Sequence, residues 1–137
     1  MRMNISIRTA LTAAVLFAST CVSAEVVVIV NPKHPAASMT AEQVANVYLG
    51  KDASFSPADL PESAGQRNEF YTKVAGKDSA QVKAIWARLV FTGKTQPPKE
   101  LGNSADAVKF VAGNDKGIAY VDKSAVDGSV KAVLTVN

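Results

Sequence analysis

The chain has 137 residues, 47% hydrophobic and 20% charged, with one cysteine, one histidine and a formal net charge of +3. A single cysteine excludes an intramolecular disulfide, and a single histidine excludes a His-rich metal site, so neither metal nor cofactor is expected. Arg2 and Arg8 carry part of the positive charge, and without them the remainder is +1. That value gives no electrostatic reason to expect nucleic acid or an anionic membrane as partner.

Residues 1–24 have the three-part layout of a secretory signal. Arg2 and Arg8 make the positive leading segment, Ala10 to Ala18 the apolar stretch, and Val22-Ser23-Ala24 the small-x-small cleavage motif. The apolar stretch is shorter than the roughly 20 residues that span a bilayer. Cys21 is preceded by Thr20, with Ala18 three positions before it, which is a poor lipobox. We therefore expect cleavage after Ala24, a mature chain of residues 25–137 forming one domain, and a periplasmic location.

The mature chain opens with Glu25-Val-Val-Val-Ile-Val30, a β-branched run that predicts a buried strand ended by Asn31-Pro32. His34 falls in the polar loop that follows and is expected to be solvated. Thr40-Ala41-Glu42-Gln43 is a capping box, so a helix starts there with Val44, Val47 and Tyr48 inward and Gly50 as its stop. Lys51 to Glu62, with Pro57 and Pro61, reads as a loop with a short extended piece around Ala58-Asp59-Leu60.

Ser63-Ala64-Gly65-Gln66 reads as a second capping box, opening a helix to about Ala75 with Phe70 and Val74 inward. Asp78-Ser79-Ala80-Gln81 reads as a third. Its helix places Val82, Ile85, Trp86, Leu89 and Val90 on one apolar stripe, which makes Trp86 a core residue. Gln96-Pro97-Pro98 is a turn, with Lys94 and Lys99 as solvated charges beside it. Asn103 or Ser104 caps a fourth helix carrying Ala107, Val108 and Val111. Gly117-Ile118-Ala119-Tyr120-Val121 is a short strand, and Val130 to Val136 a terminal one. The order of elements predicts an α/β layered domain with a small mixed sheet flanked by helices.

No residues form a nucleophile elbow, a Cys-His pair or a phosphate loop of the Walker type, so nothing points to an enzyme. The informative segment is the start of the second helix. Unpartnered N–H groups and the positive end of the helix dipole attract anions there. Ser63 can cap, Gly65 allows close approach, and an exposed Arg67 can offer a forked donor to an oxyanion. The same residues also describe an ordinary capped surface helix.

Taken in order, Val28-Ile-Val-Asn-Pro32, Met39-Thr-Ala-Glu-Gln-Val-Ala-Asn-Val-Tyr-Leu-Gly-Lys51, Ser63-Ala-Gly-Gln-Arg-Asn-Glu-Phe70, Trp86-Ala-Arg-Leu-Val-Phe-Thr-Gly-Lys94, Pro97-Pro98 and Gly117-Ile-Ala-Tyr-Val121 form a set. That set resembles the phosphate-binding substrate-binding proteins of ABC transporters, in particular their short single-lobe members. The resemblance implies one α/β lobe of the type II periplasmic binding protein fold. Full-length members hold the oxyanion between two lobes, gripped by a Ser-Gly-Thr turn at a helix N-terminus and an upstream arginine. Here Ala64-Gly65-Gln66 stands in place of Ser-Gly-Thr, and Leu60 lies where the upstream arginine would be.

The resemblance thus implies an oxyanion site built from Ser63, Gly65, Gln66 and Arg67. It implies phosphate or a similar oxyanion as ligand, an inner-membrane permease or sensor as partner, and a homodimer as one way to complete the site. A periplasmic interaction or scaffold protein that kept the lobe and lost the ligand is the alternative.

Overall fold

The computed structural model describes residues 25–93 and 95–136. The signal peptide expected over residues 1–24 lies outside the described residues, as does Lys94.

Five strands form one mixed sheet in the order β3-β2-β4-β1-β5. β1 (Val26–Val30) pairs antiparallel with both β4 (Gly117–Asp122) and β5 (Lys131–Val136). Its continuous apolar sequence follows from that central place, since all five residues are at most 2% exposed. β2 (Ser56–Asp59) runs parallel to β4 on one side and to the two-residue β3 (Lys99–Glu100) on the other.

β5 skips Val133 in its pairing with β1, at a bulge opposite Val28 and Ile29. The carbonyl of Val133 instead accepts the N–H of Met39 at 3.0 Å, which ties the loop before the first helix to the sheet. Asn31, buried at the end of β1, donates its side-chain amide to the carbonyls of Val111 and Ala112 at 3.0 and 3.2 Å. It thereby satisfies the Ala112 carbonyl and adds a second donor to the Val111 carbonyl, which also accepts the Asn114 N–H, at the end of the fourth helix.

Among the described residues, three of the four α-helix starts carry side-chain caps. α1 (Ala41–Tyr48) and α3 (Ser79–Phe91) have the capping boxes expected at Thr40/Gln43 and Asp78/Gln81, and α4 (Ser104–Ala112) is capped by Asn103. α2 (Gly65–Phe70) departs from expectation. Its N-cap is Ala64, which has no side-chain oxygen to offer, because a turn closed by Ala64 N–H to Pro61 O starts the helix one residue late. Ser63 and Gln66 therefore do not form a capping box. α2 continues through a π turn (Tyr71–Ala75) and ends at Gly76 in the left-handed conformation.

Two other expectations need correction. Val90 lies on the solvent side of α3, 50% exposed, and the adjoining Phe91 is 93% exposed; the buried stripe is Val82 and Trp86, with Ile85 and Leu89 at its margin. His34 is half-buried, its ring against Phe55 at 4.8 Å and its Nδ1 accepting the Ala36 N–H.

The largest fully buried side chains are Tyr48, Tyr71, Tyr120 and Phe70. Phe70 stacks on Tyr120 at 4.1 Å and meets Tyr48 edge-on at 4.7 Å. No helix among the described residues is long and apolar enough to cross a membrane.

Candidate functional site

β2 and β4 run parallel, so their carboxyl ends, Asp59-Leu60 and Asp122, finish side by side. The first turns of α2 and α4 begin at the same edge. Between them lies a crevice of about 330 Å3, lined by Leu60, Ala64, Gln66, Asn103, Ser104 and Asp122, among others. In parallel α/β sheets, the carboxyl ends of strands are where ligands bind.

The polar groups of the crevice are organised around Asp122. Gln66 donates its side-chain amide to Asp122 Oδ2 at 2.8 Å, and the backbone N–H of Asp122 reaches Ser104 Oγ at 3.3 Å. Asp122 Oδ1 is buried and has no hydrogen-bond partner. A buried carboxylate oxygen is costly to leave unpaired, so this atom calls for a donor. Asn103 Oδ1 is spent on the Asp106 N–H, which leaves its NH2 group to donate. The N–H groups of Ser104 and Ala105, in the first turn of α4, have no acceptor within their helix.

The four residues expected to form the site are not gathered around this crevice. Gln66 lines it. Ser63 and Gly65 are exposed beside it, and no Cβ-sized contact surrounds Gly65 within 4 Å. Arg67 turns to a different cavity, lined by Asp59, Trp86 and Glu100 among others.

Arg67 was expected to be an exposed arm, and its side chain is instead only 11% exposed. Its Nη1 donates to the Leu60 carbonyl at 2.9 Å and sits 3.7 Å from Asp59 Oδ2. Asp59 is the buried acid of the core. It accepts the hydroxyls of Tyr71, at 2.6 Å, and of Tyr120, together with the Leu60 N–H. Burial first, and then the Asp59 charge, push the ionisation of Tyr71 and Tyr120 far above the ordinary tyrosine range.

The sequence reading missed Asp122, Asn103 and Ser104 as site residues. A signal was present: Asp122 directly follows the apolar strand sequence Gly117–Val121, which puts a carboxylate at the carboxyl end of a buried strand.

No protein-family model and no curated protein matches this chain. Solved structures do. A Clostridium perfringens protein, described as a phosphate ABC transporter substrate-binding protein and solved with bound phosphate, superposes with a TM-score of 0.66 at 22% identity. An ABC-type phosphate transport receptor from Vibrio cholerae superposes at 0.62 with 17% identity, and PstS from Borrelia burgdorferi at 0.59 with 12%. The chain has the fold of these substrate-binding proteins. Each match covers 80% of this chain but only 44–46% of the solved one, so the chain spans less than half of their length. The expected lobe, a mixed sheet flanked by helices, is the architecture observed.

Proposed function

We propose that this protein is a periplasmic substrate-binding-type lobe, not an enzyme, that recognises phosphate or a similar oxyanion in the crevice between α2 and α4. The likeness in fold to a protein solved with bound phosphate supports the ligand class. The observation that carries the reading is the unpartnered Asp122 Oδ1 beside donors from Asn103, Ser104 and the first turn of α4. A carboxylate tolerates an oxyanion next to it only when a proton lies between them. Phosphate keeps a proton at neutral pH and can give it to Asp122, whereas sulfate has none to give. Ser63, Gly65 and Arg67 then serve the crevice from its rim or through the placement of α2, and Gln66 orients the Asp122 carboxylate.

One lobe encloses an oxyanion on one side only, so a second copy of this chain or a membrane permease or sensor would complete the shell. Calorimetric titration with phosphate and with sulfate tests the reading. Phosphate should bind, sulfate should not, and Asp122→Asn should weaken phosphate at least ten-fold while admitting sulfate. Absence of heat with phosphate into the millimolar range would overturn it.

That outcome would favour the scaffold reading. Its specific support is Arg67, whose Nη1 is committed to Leu60 and Asp59 and is held away from the crevice.

A further inference from the structure

The large apolar side chains left exposed among the described residues, Val90 and Phe91, are neighbours in the last turn of α3. Phe91 follows the buried Trp86 by five residues, about 140° further round the helix, so its ring points away from the core. A phenylalanine carries about 150–250 Å2 of surface. Leaving it wet forfeits the gain that burying apolar area brings.

A pocket of about 290 Å3 lies beside the same end of α3. Its wall includes Val47, Phe55, Pro57, Trp86 and Phe110, and also Gly50, which packs against Leu89. An apolar space of roughly 150 Å3 is enough to take benzene, so this pocket has room for one phenylalanine ring. Phe91 does not fill the pocket of its own chain, since it is 93% exposed. The pocket lies at the amino end of β2, by Ser56 and Pro57, whereas the oxyanion crevice lies at the carboxyl end, by Leu60.

Charge selects the occupant. Arg88, one turn before Phe91 and on the same face, is exposed and forms no ion pair among the described residues. Asp52 stands in the pocket wall, its Oδ1 held by the N–H and the hydroxyl of Ser54. Lys99, the cation of that wall, is drawn over the Phe110 ring at 5.6 Å. A ring with a cation beside it thus matches a pocket with a carboxylate beside it, and one chain carries both. An exposed apolar side chain that fits a pocket elsewhere on the same molecule brings copies together.

We propose that Phe91 of one copy seats in this pocket of a second copy, and the reverse, so that two chains form a dimer. The rings are the anchors, and Arg88 facing Asp52 across each contact sets the orientation. The contact leaves the crevice free and does not rest on the oxyanion reading.

One ring per pocket buries less than the roughly 800 Å2 per partner of a standard interface, so the dimer should be weak, with a Kd of about 10–100 μM. The experiment is sedimentation equilibrium of the purified protein from about 5 μM to 1 mM. Phe91→Ser, at a position that supports nothing in the fold, should weaken dimerisation at least ten-fold. Arg88→Glu and Asp52→Lys should each weaken it by about three- to ten-fold. An equimolar mixture of those two variants should recover the wild-type value, because every charge then meets its opposite at both contacts. Asp52→Lys is first checked for a native melting transition, since Asp52 also holds the Ser54 turn; without one, Phe91→Ser decides alone. A wild-type protein that stays monomeric throughout would overturn the proposal and leave Phe91 to a membrane or a different protein. So would a Phe91→Ser variant that dimerises like the wild type. Failure of the folded mixture to recover would take Phe91 out of the pocket and set the two rings against each other instead.

Discussion

The indole N–H of Trp86 donates to the backbone carbonyl of Tyr48 at 2.8 Å, which joins the middle of α3 to the last residue of α1. The bond satisfies a carbonyl that α1 cannot satisfy itself, and the ring fills the space beneath Gly50. Trp86→Ala should cost about 3–5 kcal/mol, as for other buried aromatic truncations. Trp86→Phe keeps most of the volume and loses the hydrogen bond, so it should cost less, about 1–3 kcal/mol. Urea denaturation of both variants measures the difference. Equal losses would mean that the hydrogen bond contributes nothing.

Gly50 combines a left-handed backbone, φ +78°, with the tightest packing of any glycine in the described chain. A Cβ there would lie 2.6 Å from Leu89 Cδ1 and 3.3 Å from the Trp86 ring. Gly76 shares the backbone conformation, φ +65°, but has open space around it. Gly76→Ala should therefore cost only the left-handed strain, about 1–2 kcal/mol. Gly50→Ala should cost a further 1–3 kcal/mol, roughly, from overpacking. A common midpoint in parallel urea titrations would show that Leu89 yields without penalty.

Much of this architecture is legible in residue order, and the exceptions have physical causes. β1 declares itself because it is buried on both sides, and α1, α3 and α4 because their caps are written locally. β2 is Ser-Pro-Ala-Asp, with no β-forming pattern, and it becomes a strand only because β3 and β4 flank it. The Ser63 to Gln66 spacing fits a capping box, but the turn at Pro61 shifts the helix by one residue. The stripe on α3 contains Val90, and no periodicity says where the neighbouring elements stop covering it. The site was half legible. The α2 start and Gln66 could be read, yet the direction of Arg67 depends on a buried Asp59 that only the folded sheet places beside it.

All three tyrosines of the chain, Tyr48, Tyr71 and Tyr120, are buried, so alkaline titration has a distinctive outcome. Burial raises each of them above the ordinary value of 10.0, and Asp59 adds to the effect. The native state thus keeps three protons that the unfolded state sheds above about pH 10. The unfolded state binds fewer protons there, so stability is complete below pH 10 and falls above it. The slope approaches about 4 kcal/mol per pH unit when all three contribute. Phenolate absorbance should stay absent until the protein unfolds and then appear for all three residues together. A phenolate signal from the folded protein near pH 10 would show that one of the rings is open to solvent.

Arg67 decides between two views of the start of α2. As a solvated arm it could be removed with little effect on the fold. In the structure it holds the Leu60 carbonyl and faces Asp59, the acid that also anchors Tyr71 and Tyr120. Arg67→Ala leaves that carboxylate buried without its cation, a change that costs about 3–5 kcal/mol in comparable pairs. Asp59→Asn removes the charge while keeping the side chain's size, so in an Arg67→Ala background it should recover part of the loss. A double-mutant cycle read by thermal and urea unfolding measures this coupling directly. Additive losses would separate Arg67 from Asp59, and a melting temperature unchanged by Arg67→Ala would release the guanidinium for a ligand alone. With the coupling in place, weaker oxyanion binding by Arg67→Ala would reflect a displaced α2, and Gln66→Ala, which leaves the Asp59 cluster intact, would be the variant that tests the crevice itself.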